Sequence, residues 1–384
     1  MEFNRQILPK IEENLFKKGK IKPAIVIYGP RQVGKTTLCK QIYQKFTKKF
    51  PDSALFYNCD YFEIQEQFAY KNAANLKKIL GNTKLLILDE AQRIKNIGLT
   101  LKILVDEFPH LQVIATGSSS FDLANEINEP LTGRKIEFKL FPLAFSEINQ
   151  KTAYLERQNS ISNLLRFGSY PLVIQKSETD AENYLKELTD SYLFKDILTF
   201  QNLRKPEMLS KLLRLLAFQI GQEVSFNELA TQLGIDASIV QKYIHLLEES
   251  FVIFRLGALS RNLRKEVSKT RKIYFWDLGI RNTLIQNLNP LDLRNDTGGL
   301  WENFCVVERL KKLEYERINC NQYFWRTYEQ KELDYIEEKG GKLNAFEFKW
   351  SNPKKVKKLK EFLDAYPGST FKVITKENID EFIQ

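Results

Sequence analysis

Histidine is nearly absent from this sequence: only His110 and His245 occur in 384 residues. That scarcity argues against a multi-histidine metal centre and leaves a serine-protease-type triad almost no base to draw on. Cysteine is equally thin, with single residues at Cys39, Cys59, Cys305 and Cys320. Positions so scattered give no disulfide framework and no Cys-x-x-Cys pair for zinc, so a reducing compartment is expected. No apolar run approaches the ~18 residues needed to span a bilayer. The opening stretch, MEFNRQILPKIEENLF, mixes charges with apolar side chains where a signal peptide would have an apolar core. A cytoplasmic protein without a membrane partner is expected. Internal repeats and low-complexity tracts are missing as well. The chemistry must therefore use carboxylates, lysines and arginines.

What is present suits a folded chain of two or three domains. Hydrophobic residues make up 43% and aromatic residues 12%, enough apolar surface for several cores. Lys and Arg number 58 against 48 Asp and Glu, a formal charge of +10 that makes a polyanion such as DNA a plausible partner. Net charge bears on association and solubility, however, and not on fold.

The most informative stretch begins at residue 24. The apolar run AIVIY is followed by Gly29-Pro30-Arg31-Gln32-Val33-Gly34-Lys35-Thr36-Thr37 and then by the helix-forming LCKQIYQKF. Strand, glycine-containing loop and helix in that order form a P-loop. The glycines let the loop turn its N–H groups around phosphate oxygens, and the helix presents its positive end to them. Residues Gly29 to Thr37 are the expected nucleotide site, with Lys35 on the β- and γ-phosphates and the Thr36 hydroxyl on Mg²⁺. A second apolar run, Leu85-Leu86-Ile87-Leu88, delivers Asp89 and Glu90 to the carboxyl edge of the sheet, where ligands bind. Asp89 is the expected Mg²⁺ partner, and Glu90 is placed to orient and polarise the attacking water. A third strand, Val113 to Thr116, runs into Gly117-Ser118-Ser119-Ser120. Ser118 can sense the γ-phosphate there, or the serines can cap a helix.

The segments GPRQVGKTTL, LLILDEAQ, IATGSSS, LTGRKIEFKLFPLAFSE and FGSYP cover most of the first 175 residues. Together they resemble a prokaryotic group of AAA-type P-loop ATPases that join this core to a winged helix and a nuclease-like carboxyl-terminal domain. The resemblance implies ATP and Mg²⁺ as cofactors. It also makes Arg134, within LTGR, a candidate arginine finger reaching a neighbouring subunit's nucleotide, which would require a homo-oligomer. A surface ion pair is the competing use of that arginine. The group normally has two adjacent glycines before its aromatic-Pro pair; here Gly168 is followed by Ser169.

An α/β fold with four parts is expected: an AAA-type core over 1–150, a helical lid or connector over 151–205, a winged helix over 206–285 and a nuclease-like α/β domain over 286–384. In the third part, Ser225 and Glu228 form a capping box and Gly234 marks the turn before a recognition helix from Ala237 to Glu248. That helix should bury Val240, Ile244 and Leu247 and expose Ser238, Gln241, Lys242 and His245. The wing carries Arg261, Arg264, Lys265, Lys269, Arg271 and Lys272 against the single acid Glu266, a pattern suited to phosphate contact. Winged helices on AAA proteins also serve as lids or protein contacts.

In the last part, Glu302 lies in the first turn of a helix, and two strands meet across Gly340-Gly341. Period-two geometry puts Glu347 and Lys349 on one strand face with Asp334 across the turn. The trio matches PD-(D/E)XK nucleases: Asp334 and Glu347 would hold Mg²⁺, Lys349 would stabilise the attacking water or phosphate, and Glu302 would approach from the helix. Such folds also persist without activity. The lysine run 354–360 is either a DNA-facing helix or a soluble one. The leading expectation is an ATPase acting on DNA. The competing one is a nucleotide-dependent signalling or protein-remodelling switch with an inactive nuclease-like domain.

Overall fold

The computed structural model describes residues 3–15, 22–69, 72–118, 127, 129–150, 153–190, 206–260, 271–327, 331–351 and 360–383. The chain packs into two compact units, one of Met1–Leu143 with Glu249–Phe251, the other of Ala144–Glu248 with Val252–Gln384.

The first unit is built on five parallel strands: β1 (Ala24–Tyr28), β2 (Ala54–Asn58), β3 (Leu85–Asp89), β4 (Gln112–Gly117) and β5 (Lys135–Lys139), in the order β2-β3-β4-β1-β5. The three inner strands are buried along their whole length, which is why they read as unbroken apolar runs. The edge strand β5 alternates charge and apolarity instead, in the sequence KIEFK. Each fully buried Ile, Leu or Val on these strands contributes about 1.5–3 kcal/mol. Helix α1 (Ile7–Leu15) buries Ile7, Leu8, Ile11 and Leu15, and α2 (Lys35–Lys49) buries Leu38, Cys39, Ile42 and Phe46, each a helical stripe. The carboxyl ends of β1, β3 and β4 lie side by side, so the loop after β1 and the residues ending β3 and β4 share one edge.

The second unit carries a seven-stranded sheet in the order β12-β11-β10-β9-β7-β8-β6. Its strands are β6 (Glu223–Val224), β7 (Ile253–Ala258), β8 (Arg271–Phe275), β9 (Asn321–Arg326), β10 (Glu332–Lys339), β11 (Lys342–Phe348) and β12 (Thr370–Ile374). β10 and β11 form the expected hairpin across Gly340 and Gly341, both with positive φ (57° and 77°). The helix Thr297–Tyr315 supplies Trp301, Phe304 and Cys305 to a core shared with Phe324, Tyr335, Phe346, Phe348 and Phe382. Packing does not break at 285/286, where a domain boundary is expected from the sequence, because parallel pairing of β7 with β9 carries one sheet across it. Near the first of the expected boundaries, 150/151, the units part at 143/144.

Of the expected lid, the helices Tyr154–Phe167, Pro171–Ile174 and Glu178–Leu188 are described, while 191–205 lie outside the described residues. The FGSYP turn forms with one glycine. Gly168 takes φ 74° at the end of its helix, where an added Cβ would stand 2.1 Å from an Asp277 carboxylate oxygen. Ser169 fits beside it because its N–H donates to Asp277 (2.7 Å) and its hydroxyl accepts from Lys311 (3.3 Å). No helix among the described residues is long and apolar enough to cross a membrane.

Candidate nucleotide site and acidic cluster

The loop after β1 is shaped by its neighbours. A Cβ on Gly29 would sit 2.0 Å from the Leu140 carbonyl oxygen, so only glycine lets the loop leave the sheet there. Gln32 has φ 60°, and Gly34 has φ 98° at the start of α2. Gly34 offers no side chain to cap the helix, which leaves the first-turn N–H groups and the positive end of α2 for an anion.

Lys35 is only 4% exposed, and its ammonium donates to the carbonyls of Gly29 (2.8 Å) and Pro30 (3.1 Å) and stands 3.9 Å from Glu90 Oε1. Burial lowers its pKa, against the opposing pull of Glu90 and Asp89. The Thr36 hydroxyl donates to Asp89 Oδ2 (2.6 Å), and Thr116 at the end of β4 donates to Asp89 Oδ1 (2.6 Å). Thr116 Oγ1 in turn accepts the Glu90 N–H at 2.9 Å, holding Glu90 in a left-handed conformation (φ 57°, ψ 44°). Gln92 donates to Glu90 Oε2 (2.6 Å) and to Ser118 Oγ (3.2 Å).

Lys35, Thr36, Asp89, Glu90 and Ser118 thus converge as the motifs imply, on a network completed by Thr116 and Gln92. Arg31, Gln32 and Thr37 are at least partly exposed around the loop, whereas Pro30 and Val33 are buried. The donor set suits a triphosphate with Mg²⁺: Thr36 and Asp89 would hold the ion, an ammonium and a helix N-terminus would hold the phosphates, and the ion would polarise the terminal phosphoryl group. Arg134 sits elsewhere, its Nε 2.6 Å from Asp106 Oδ1 within the same unit.

Comparison with known proteins agrees with this geometry. Residues 21–149 match the AAA domain family. This part of the chain is similar to AAA-type domains. Residues 158–292 and 297–383 match two domains of unknown function, DUF8612 and DUF4143. An uncharacterized protein of Mycobacterium tuberculosis is 28% identical over 331 residues, covering 85% of this chain and 70% of the relative. An uncharacterized protein of Methanocaldococcus jannaschii is 27% identical over 337 residues, covering 80% and 72%. Among solved structures, AMPPCP-bound DnaA from Aquifex aeolicus aligns over 65% of this chain and 89% of its own at 19% identity, with a TM-score of 0.33. Cdc6p from Pyrobaculum aerophilum aligns over 75% and 94% at 14% identity, also with a TM-score of 0.33.

In the second unit, the helix Ala237–Glu249 buries Val240, Ile244 and Leu247 and exposes Ser238, Gln241, Lys242 and His245, the faces its periodicity predicts. The wing reading needs correction at Lys272. This residue is 1% exposed and points inside, bonded to Glu302 (2.7 Å) and Glu332 and standing 4.0 Å from Asp334. It has no surface left for phosphate, since alternation along β8 turns Lys272 inward and leaves its neighbour Arg271 outside. The Arg271 guanidinium lies over the Phe226 ring at 5.8 Å. Arg261, Arg264, Lys265 and Lys269 lie outside the described residues, as do 354–359 of the lysine run.

The acidic cluster gathers Glu302, Asp334 and Glu347 with Lys272, Lys349 and Tyr274. Tyr274 donates to the same Glu302 oxygen that Lys272 holds (2.7 Å), the Phe348 N–H donates to Asp334 (2.8 Å), and Lys349 pairs with Glu347 (2.7 Å). Glu302 is therefore engaged within the protein, and among the described residues no three His, Cys, Asp or Glu side chains group as a metal cage. A smaller donor set remains. Glu347 Oε2 is buried without a hydrogen-bond partner, and Asp334 is beside it on the same face. Two carboxylates with waters suffice for Mg²⁺, and Asp334 and Glu347 would be the ones to hold it.

Burial, followed by repulsion from Glu302 and Glu347 against the pull of Lys272, pushes Asp334 up to about 8 from its ordinary 3.8. The folded state then binds this proton more tightly than the unfolded chain. Its stabilising contribution is complete below about pH 4 and is lost as pH rises toward 8. Asp334→Asn removes that dependence. In EDTA, its thermal midpoint should exceed the wild type's at pH 9 and not at pH 5, at about 2–4 °C per kcal/mol for a unit of this size. Parallel midpoints from pH 5 to 9 would show that Asp334 is ionised throughout.

Proposed function

We propose that this chain is a Mg²⁺-dependent ATPase acting on DNA, with nucleotide state governing a second unit that binds DNA and carries a nuclease-like acidic site. The observation supporting the ATPase is the convergence of Lys35, Thr36, Asp89 and Glu90 on one sheet edge around a glycine-shaped loop. Lys35 binds the phosphates, Thr36 and Asp89 hold Mg²⁺, Glu90 orients the water, and Ser118 reports the γ-phosphate through Gln92. Arg134 acts in trans only if an oligomer draws it from Asp106.

The +10 charge and the exposed face with Lys242 support DNA as the partner. Burial of Lys272 takes one base from the expected wing, which favours the protein-contact alternative to that extent. One set of reactions separates the two. Single-stranded, duplex and branched DNA are added to the protein with ATP and Mg²⁺, and hydrolysis, binding and cleavage are followed together. DNA should stimulate hydrolysis, and its binding should weaken steeply with salt, about 0.9 decade in affinity per decade of salt for each phosphate contacted. Asp334→Ala and Glu347→Ala should remove any divalent-dependent cleavage while ATP turnover stays unchanged. Hydrolysis indifferent to every DNA would leave the remodelling switch, and no hydrolysis at all would end the ATPase reading.

A further inference from the structure

Arg5 lies 28 residues before Val33, the loop residue it touches. Its guanidinium is nearly buried, 6% exposed, and donates to two backbone carbonyls, Val33 (2.7 Å, through NH1) and Phe141 (2.7 Å, through NH2). Both ends of this bridge are fixed. On one side, Phe141 is buried just after β5 and meets Phe251 edge-to-face at 6.1 Å. On the other, the Arg5 backbone is set by α1, whose Leu8 N–H donates to the Arg5 carbonyl (3.1 Å) and whose apolar stripe is buried. Gly34 lies beside the guanidinium, since a Cβ there would be 3.8 Å from NH1.

The consequence follows from peptide geometry. The Val33–Gly34 bond is trans, because the described chain contains no cis peptide, so the Val33 C=O and the Gly34 N–H point in opposite directions. Holding the carbonyl on Arg5 turns the Gly34 N–H away from Arg5. We propose that Arg5 is a positioning residue of the nucleotide site, clamping the peptide before Gly34-Lys35 so that its N–H faces the phosphates before they arrive. This rests on the P-loop reading and adds to it a group outside every motif. Preorganised donors bind charge without reorganisation when the ligand arrives, so a loop freed from Arg5 must be ordered by the nucleotide itself. The planar fork is essential because it bridges two carbonyls at once. A lysine in its place keeps the charge but reaches them as a single point.

The test uses full-length Arg5→Gln and Arg5→Lys, a fluorescent non-hydrolysable ATP analogue with Mg²⁺, and amide hydrogen exchange over residues 29–36. Arg5→Gln should raise the analogue's Kd by about 10- to 100-fold. The rate at saturating ATP, per folded molecule, should change less than threefold, and Arg5→Lys should fall between. Lost folding alone would lower the active fraction and leave Kd unchanged. In the nucleotide-free protein, exchange over 29–36 should quicken in Arg5→Gln relative to the β3 and β4 strands. A Kd within twofold of wild type in folded Arg5→Gln overturns the proposal. If that variant does not fold, Arg5→Lys decides on the same scale, with a rise of fivefold or more expected and a value within twofold overturning it. Should the wild type bind no nucleotide, the ATPase reading fails by itself. The clamp is then judged by exchange, and unchanged rates over 29–36 would refute it.

Discussion

Lys35→Ala should abolish measurable nucleotide binding while leaving the first unit folded. The ammonium is buried within the loop, 3.9 Å from Glu90 and held by two loop carbonyls. Removing it leaves only Mg²⁺ and the helix N-terminus to offset the repulsion between the phosphates and the Asp89 and Glu90 carboxylates, so the variant loses an attraction and unmasks part of that repulsion. At an effective dielectric of ~20, one unit-charge interaction at ~4 Å amounts to about 4 kcal/mol, or roughly three decades in affinity. The fold should tolerate the change, since alanine suits the first turn of α2 and the carbonyls of Gly29 and Pro30 can turn to water once the side chain is gone. Calorimetric titration with Mg·ATP checks the binding, and circular dichroism checks the fold. Binding within tenfold of wild type would mean that the phosphates are held elsewhere.

The legibility of this site in the sequence followed the range of its interactions. Gly29, Gly34, Lys35 and Thr36 were readable because their roles are local: a turn, a helix start and two side chains at fixed spacing. Asp89 and Glu90 were readable as the ends of an apolar strand. The motifs that contain Thr116 and Gln92 assign neither a role. The function of Thr116 appears only once β4 pairs in parallel with β3, in the register Leu88 with Ala115, which brings its hydroxyl to Asp89. Arg5 was invisible for the same reason, since its partners are 28 and 136 residues away.

The second unit shows the limits of counting charge. Arg271 and Lys272 contribute equally to a basic run, yet adjacent strand residues face opposite ways, and one of the two is spent against Glu302, Glu332 and Asp334. Period-two reasoning puts Asp334, Glu347 and Lys349 on one face; the register of Tyr335 with Phe346 carries Asp334 toward Glu347, and Lys349 pairs with Glu347. It could not show that β8 would lie close enough to bring a second lysine. That depends on β7 joining β9, a pairing between segments more than 60 residues apart with no local signal.

Glu90→Gln should have the opposite kinetic signature to Lys35→Ala, and the contrast is what separates binding from chemistry. The variant keeps nearly the same shape and keeps an oxygen to accept from Gln92, which now bonds Glu90 Oε2 at 2.6 Å. Its backbone hydrogen bond to Thr116 (2.9 Å) does not involve the side chain, so the turn and the Asp89 network should persist. One negative charge near the phosphates is lost, so ATP affinity should hold or tighten by a fewfold. Turnover should fall by about 10²- to 10³-fold, within the usual contribution of a positioned general base, because an amide cannot take the proton of the attacking water. Equilibrium binding of Mg·ATP and a phosphate-release assay on the same preparation read both effects. Normal hydrolysis by Glu90→Gln would remove Glu90 from the mechanism while leaving Lys35, Thr36 and Asp89 in place. Weakened binding with normal turnover at saturation would instead assign Glu90 to the grip on the nucleotide, through its 3.9 Å approach to Lys35.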